Sequence, residues 1–249
     1  MTTQLSYYLD RISKYAGYCA ALLVMLLSLL VAYDAGMRYL FSEGSIALQE
    51  VEWHLFDIIF LLGLSYALKH DKHVRVDIFF ERYSKDARAV VQILSMLLLL
   101  IPFSLVFLND AFDMTIQSFL QHEVSSDPGG LSHRWLIKGM LVFAFVLLII
   151  QALSEILKAY HRLDNKMLLI KTLLGVALMA TLVYIAWFNR MAFWVDPVFL
   201  MFALALVLLM LGFQVAFVFA GVALFFALIT DEVGLHTLEM LPYRTYGIM

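Results

Sequence analysis

Apolar and polar positions fall in blocks along this chain, each apolar block too long for the core of a soluble fold. Runs of about 18 or more apolar residues, separated by short polar connectors, read as membrane-crossing helices. The pattern predicts helices at about 16–40, 47–68, 88–112, 133–158 and 167–188, then a further apolar run from Pro197 to Ile229. Met1 to Tyr15 reads as a polar lead, with Arg11, Lys14 and tyrosines suited to a membrane interface. The first run is too long for a signal-peptide core and ends in Asp34, Arg38 and Tyr39 rather than a small-residue cleavage pattern, so it is expected to remain as a span. The last run would be about 50 Å long as one helix, against a hydrocarbon core of about 30 Å. It should tilt, kink near Gly212, or project beyond the lipid. The expected fold class is all-α integral membrane: a four-helix transmembrane bundle, a connecting helix and one further long transmembrane helix, about six spans.

The connectors refine this outline. Ser42 to Ser45 is a short turn, and Asp34 and Arg38, one helical turn apart, are placed to form a local ion pair. Val74-Arg75-Val76-Asp77-Ile78 alternates like a strand, but so short a segment beside a membrane cannot build a sheet, so it reads as an extended or amphipathic surface turn. Pro102 should kink the third helix. Asp113 to Ser132 is polar, with a turn at Asp127-Pro128-Gly129-Gly130 and Ser132 as the N-cap of the fourth helix. The N-terminal lead and the second-to-third and fourth-to-fifth connectors hold 12 of the 17 lysines and arginines. The positive-inside rule therefore puts the N-terminus in the cytoplasm. All four tryptophans (Trp53, Trp135, Trp187 and Trp194) then fall at outer helix ends.

Composition changes the picture mainly by exclusion. With 63% hydrophobic and 15% charged residues and a net charge of −3, the chain has no basic surface of the kind nucleic acid requires. The single cysteine, Cys19, permits neither an internal disulfide nor a cysteine metal site. The candidate chemistry lies in the second helix, where Glu50, His54 and Asp57 share one face at i, i+4, i+7 spacing. Asp57 sits about 18 Å from the end of that span, near mid-membrane, where a carboxylate costs roughly 3 kcal/mol and must face protein or water. A haem- or quinone-binding membrane anchor is one alternative class, but it needs two facing histidines and only His54 lies within a span. A small channel or proton relay using Asp57 is another; it lacks a second mid-membrane carboxylate or lysine.

Glu50 and Trp53 near a helix start, Gly63, then His73-Val74-Arg75-Val76-Asp77, and later Asp127-Pro128-Gly129-Gly130-Leu131 occur in that order over roughly residues 10–160. In this the chain resembles the small membrane subunit of the tripartite ATP-independent periplasmic (TRAP) transporters. The resemblance implies a multi-pass protein of the bacterial inner membrane that is not an enzyme and carries no cofactor of its own. It implies a scaffold role beside a large membrane subunit and a periplasmic solute-binding protein, in import of a small organic, carboxylate-bearing solute. Ion gradients drive such transport, with sodium coupling in the large subunit. Glu50, Trp53, His54, Asp57, Arg75 and Asp77 would then occupy helix-packing or interface positions. Leu208 to Phe217 is similar to the first helix of the large subunit, with Gln214 where proline is common. The resulting division is residues 1–162 small-subunit-like, 163–190 a connecting transmembrane helix, and 191–249 the start of a large-subunit-like domain, a fused protein cut short.

Overall fold

The structure, a computed structural model, describes residues 2–188, 197–229 and 240–248. The assignment of Trp194 to an outer helix end lies outside the described residues. Helix α1 runs Thr2–Phe41. The polar lead is thus the first four turns of the first span, not a separate segment. No proline interrupts it, and Arg11 donates to the Tyr15 hydroxyl at 3.0 Å one turn on. The helix stops where Ser42 takes a left-handed φ of 56°. Helix α2 (Ile46–Lys69) begins with Ser45 Oγ accepting from Leu48 N–H at 3.4 Å. The expected Asp34–Arg38 pair forms at 2.5 Å, with Asp34 buried.

A one-turn helix, α3 (Asp77–Phe80), precedes α4 (Lys85–Leu120), which Ser84 caps through Ala87 N–H. Within α4 the turn Ser95–Leu100 is π-helical. A proline lacks the N–H and crowds the carbonyl four residues back, so the widened turn just before Pro102 absorbs its misfit. The helix runs eight residues past the expected end at 112. Met114 and Ser118 keep its buried face going through a segment whose polar composition reads as loop. Ser132 is not the N-cap of the fourth span. It forms an isolated bridge with Val124, His133 takes φ 64°, and α5 starts at Trp135 and ends at Arg162. Helix α6 spans Lys166–Phe188, and the carboxylate of Asp86 accepts from Asp164 N–H and Asn165 N–H at 3.1 and 3.0 Å just before it.

The last apolar run departs most from expectation. It is not one long helix but two short ones, α7 (Pro197–Met210) and α8 (Val215–Ile229), of 14 and 15 residues. Each rises only about 22 Å, less than a bilayer core. Gly212 breaks the run with a left-handed φ of 83°, and Phe213 and Gln214 at the break are buried. A break in an apolar setting must find new partners for its freed backbone groups. They come from the segment that alternates like a strand: Arg75 bridges Gln214, and Val215 N–H donates to the Val74 carbonyl at 3.0 Å. That segment is therefore a short extended partner rather than a free surface turn. Helix α9 (Leu241–Ile248) closes the described chain.

The contacts group into two units. Among the described residues, one comprises 2–6, 73–103, 152–188 and 197–229; the other comprises 7–72, 104–151 and 240–248. In the first, Ala89, Ile93, Ala159, Val218, Val222 and Phe226 build a continuous apolar core, and Gly221 lets α8 approach the backbone of Leu99, whose Cα lies 2.8 Å from where a Cβ would stand. In the second, Ala16, Ala20, Leu62 and Leu147 join α1, α2 and α5, and a side chain at Gly17 would collide with the Tyr66 ring. The amide of Gln151 donates to Asp10 at 3.0 Å in the same unit. Among the described residues there is no strand, and four helices are long and apolar enough to cross a membrane: Gln4–Phe41, Ile46–Lys69, Lys85–Leu120 and Trp135–Arg162.

Candidate functional site

Helix periodicity does place Glu50, His54 and Asp57 together. With Trp53 they line one cavity of about 320 Å³, to which Arg134 and Tyr246 also contribute. Glu50 is its best-anchored group. Its carboxylate accepts from Leu131 N–H at 2.5 Å and from the Ser125 hydroxyl. The loop it grips is the predicted Asp127–Gly130 turn: Gly130 N–H donates to the Asp127 carbonyl at 3.0 Å, and Gly129 takes φ 86°. A side chain at Gly130 would collide with Ser125 and with Glu50 itself. Trp53 is 67% exposed at the cavity, whereas Asp57 is only 3% exposed. Its Oδ1 has no hydrogen-bond partner among the described residues.

Two members of the cavity gave no signal in the sequence. Arg134 Nε donates to the Tyr246 hydroxyl at 2.8 Å, and its guanidinium stands 5.4 Å from that ring's centre. Burial pushes the Tyr246 hydroxyl's pKa up, outweighing the opposing pull of Arg134. Beside them Lys138 pairs with Glu123 and lies 5.2 Å from the Tyr246 ring. Burial raises the Glu123 carboxyl, but the hydrogen bond from Lys138 and the charges of Lys138 and Arg134 leave it below its ordinary range. Arg134 lies outside the helix that carries Glu50, His54 and Asp57, so helical spacing cannot connect it to them. Tyr246 lies too far along the chain for any local pattern to connect it.

Arg75 and Asp77 do not join this cavity; they belong to the other unit. Arg75 Nε meets Asp77 Oδ1 at 3.5 Å, and its guanidinium stacks 4.4 Å from the Phe80 ring centre. Both side chains thus hold the segment that supports the break at Gly212. Among the described residues no group of three or more histidine, cysteine, aspartate or glutamate side chains could hold a metal ion. Among the described residues the cavity gathers Glu50, His54, Asp57, Arg134 and Tyr246 as charged and hydrogen-bonding groups.

The all-helical architecture, with four helices among the described residues long and apolar enough to cross a membrane, defines a multi-pass α-helical membrane protein. A family model described as "Tripartite ATP-independent periplasmic transporters, DctQ component" matches residues 27–162, more than half the chain, and the chain belongs to that family. The matched region covers the C-terminal part of α1, from residue 27, and all of α2 to α5. A search of the curated proteins gives no match.

Proposed function

We propose that the chain is the membrane scaffold of an ion-gradient-driven TRAP transporter of the bacterial inner membrane. It braces a large permease subunit that works with a periplasmic solute-binding protein to import a small organic, carboxylate-bearing solute. The observation that carries this reading is the coincidence of the family match with the four long apolar helices. The Glu50 clamp supports a static role, because it ties α2 to the loop before α5 through a side chain and a backbone group. Glu50, Trp53, His54 and Asp57 serve helix packing and the subunit interface in this reading, and Arg75 and Asp77 secure the short extended segment. Residues 191–249 are the start of a large-subunit-like part, joined through a connecting helix at 163–190. The break at Gly212 fits this, since discontinuous helices are a recurring part of transporter cores.

The test is reconstitution with the large permease, the binding protein and an inward sodium gradient, using a panel of labelled organic acids. Uptake should require this chain; undiminished uptake without it, or uptake by it alone, overturns the scaffold assignment. The orientation proposed has the N-terminus in the cytoplasm, on the charge distribution given above. In a Cys19→Ala background, a cysteine at Lys72 should react only with a membrane-permeant thiol reagent. A cysteine at Glu43 should react with an impermeant one. The reverse pattern refutes this topology.

A further inference from the structure

We infer that the first turns of α1, with the end of α2, form a binding site for the phosphate headgroup of an anionic phospholipid. Tyr7, Arg11, Lys14, Tyr15 and Tyr18 fall on one face of α1, and Lys69 of α2 completes a cavity of about 360 Å³ that also includes Asp10. Three cations face one carboxylate there, and that carboxylate is already engaged by the Gln151 amide. The local charge is therefore positive, in a chain whose net charge is −3. The cations are held ready rather than buried. The Arg11 guanidinium sits 5.8 Å from the ring centres of both Tyr7 and Tyr15, and the Lys14 ammonium sits 5.5 Å from that of Tyr18. Such contacts orient a cation; Arg11 spends one donor on the Tyr15 hydroxyl at 3.0 Å, and a guanidinium has five to offer phosphate oxygens in all.

The second half of the argument is what lies beyond the cavity. Continuing the same face from Tyr18 at helical spacing gives Leu22, Met25 and Leu29. These are 58, 65 and 69% exposed, while the opposite face carries the buried Ser6, Ser13, Ala16 and Ala20. Arg11 and Lys14, with Tyr7 one turn before them, then Tyr15 and Tyr18, then an uncovered aliphatic stripe along one helix match the order of phosphate, glycerol and acyl chain in a phospholipid. A free phosphate would use only the first of these three zones. The stripe makes the lipid the occupant.

The experiment measures lipid adducts on the intact, detergent-purified chain by native mass spectrometry. Phosphatidylglycerol is compared with phosphatidylcholine of identical acyl chains, with and without excess inorganic phosphate. Phosphatidylglycerol should be retained at least about tenfold more than phosphatidylcholine, each basic residue near the headgroup adding to the preference. Arg11→Gln with Lys14→Gln should abolish that preference, while the charge-preserving Arg11→Lys with Lys14→Arg should keep it. Because these side chains are exposed, the variants should stay monodisperse, and the charge-preserving pair separates lost charge from lost fold. Equal retention of the two lipids, or a preference that survives the double glutamine change, overturns the proposal. Displacement of phosphatidylglycerol by inorganic phosphate alone also overturns it, by making the site one for soluble anions.

Discussion

Replacing Glu50 with alanine should destabilise the protein by about 2 kcal/mol, more than other single changes at the cavity. Its carboxylate holds two donors of the loop before α5, the Leu131 N–H and the Ser125 hydroxyl. Hydrogen bonds to a charged group contribute about 1.5–3 kcal/mol each, and the lower end applies to the pair because water reaches this carboxylate. Glu50→Gln should lose less, since the amide oxygen still accepts one of the two bonds. The loop should respond first, with faster proteolysis between Glu123 and Ser132 before the helices melt. Thermal unfolding in detergent and limited proteolysis of both variants and of Ser125→Ala provide the check. A double-mutant cycle of Glu50 and Ser125 should show coupling of about 1 kcal/mol. Additive effects, with loop cleavage unchanged, would refute the clamp.

Gly212→Val should be the more damaging change to the other unit. The residue has a left-handed φ of 83°, where a β-branched side chain is strained, and its Cβ would lie 2.7 Å from that of Phe80. Strain of about 1–2 kcal/mol adds to an overpacking cost of about 1–3 kcal/mol. Gly175→Val is the matched control, because nothing lies within 4 Å of a Cβ built there. The yield of monodisperse protein should fall several-fold for Gly212→Val and little for the control. Equal yields and equal melting temperatures for the two would show that the break between α7 and α8 is not fixed by this glycine.

Both predictions come from places where the sequence could be read only in part. The four spans were legible because twenty apolar residues in a row leave few alternatives, and the Asp127–Gly130 turn because its residue types demand one. The Asp34–Arg38 pair needed only helical spacing. Glu50, His54 and Asp57 were placed on one face by the same rule, but their cavity also needed Arg134 and Tyr246. Sequence distance hides such partners. Likewise, the run from Pro197 to Ile229 is uniformly apolar, and Gly212 within it is consistent with a kink, a close contact or a full break. What decides among these is Val74, more than a hundred residues earlier, whose carbonyl accepts the N–H that starts the second short helix. The polar lead and the start of the 113–132 segment turned helical for a related reason: local polarity marks solvent or interface, not the end of a helix.

The hydrogen bond between Gln151 and Asp10 bears on the order in which the protein is made. Spans enter the bilayer one after another, and apolar helices held only by dispersion can shift along each other at little cost. Asp10, near the start of the first span, must wait for the fourth before the Gln151 amide reaches it at 3.0 Å. A slip of one helical turn, about 5.4 Å, would part the two and cost both groups this hydrogen bond. The bond is therefore a late addition to the packing of α1 on α2: the polar tie joins Ala16 and Gly17 only when the last helix of the matched region arrives.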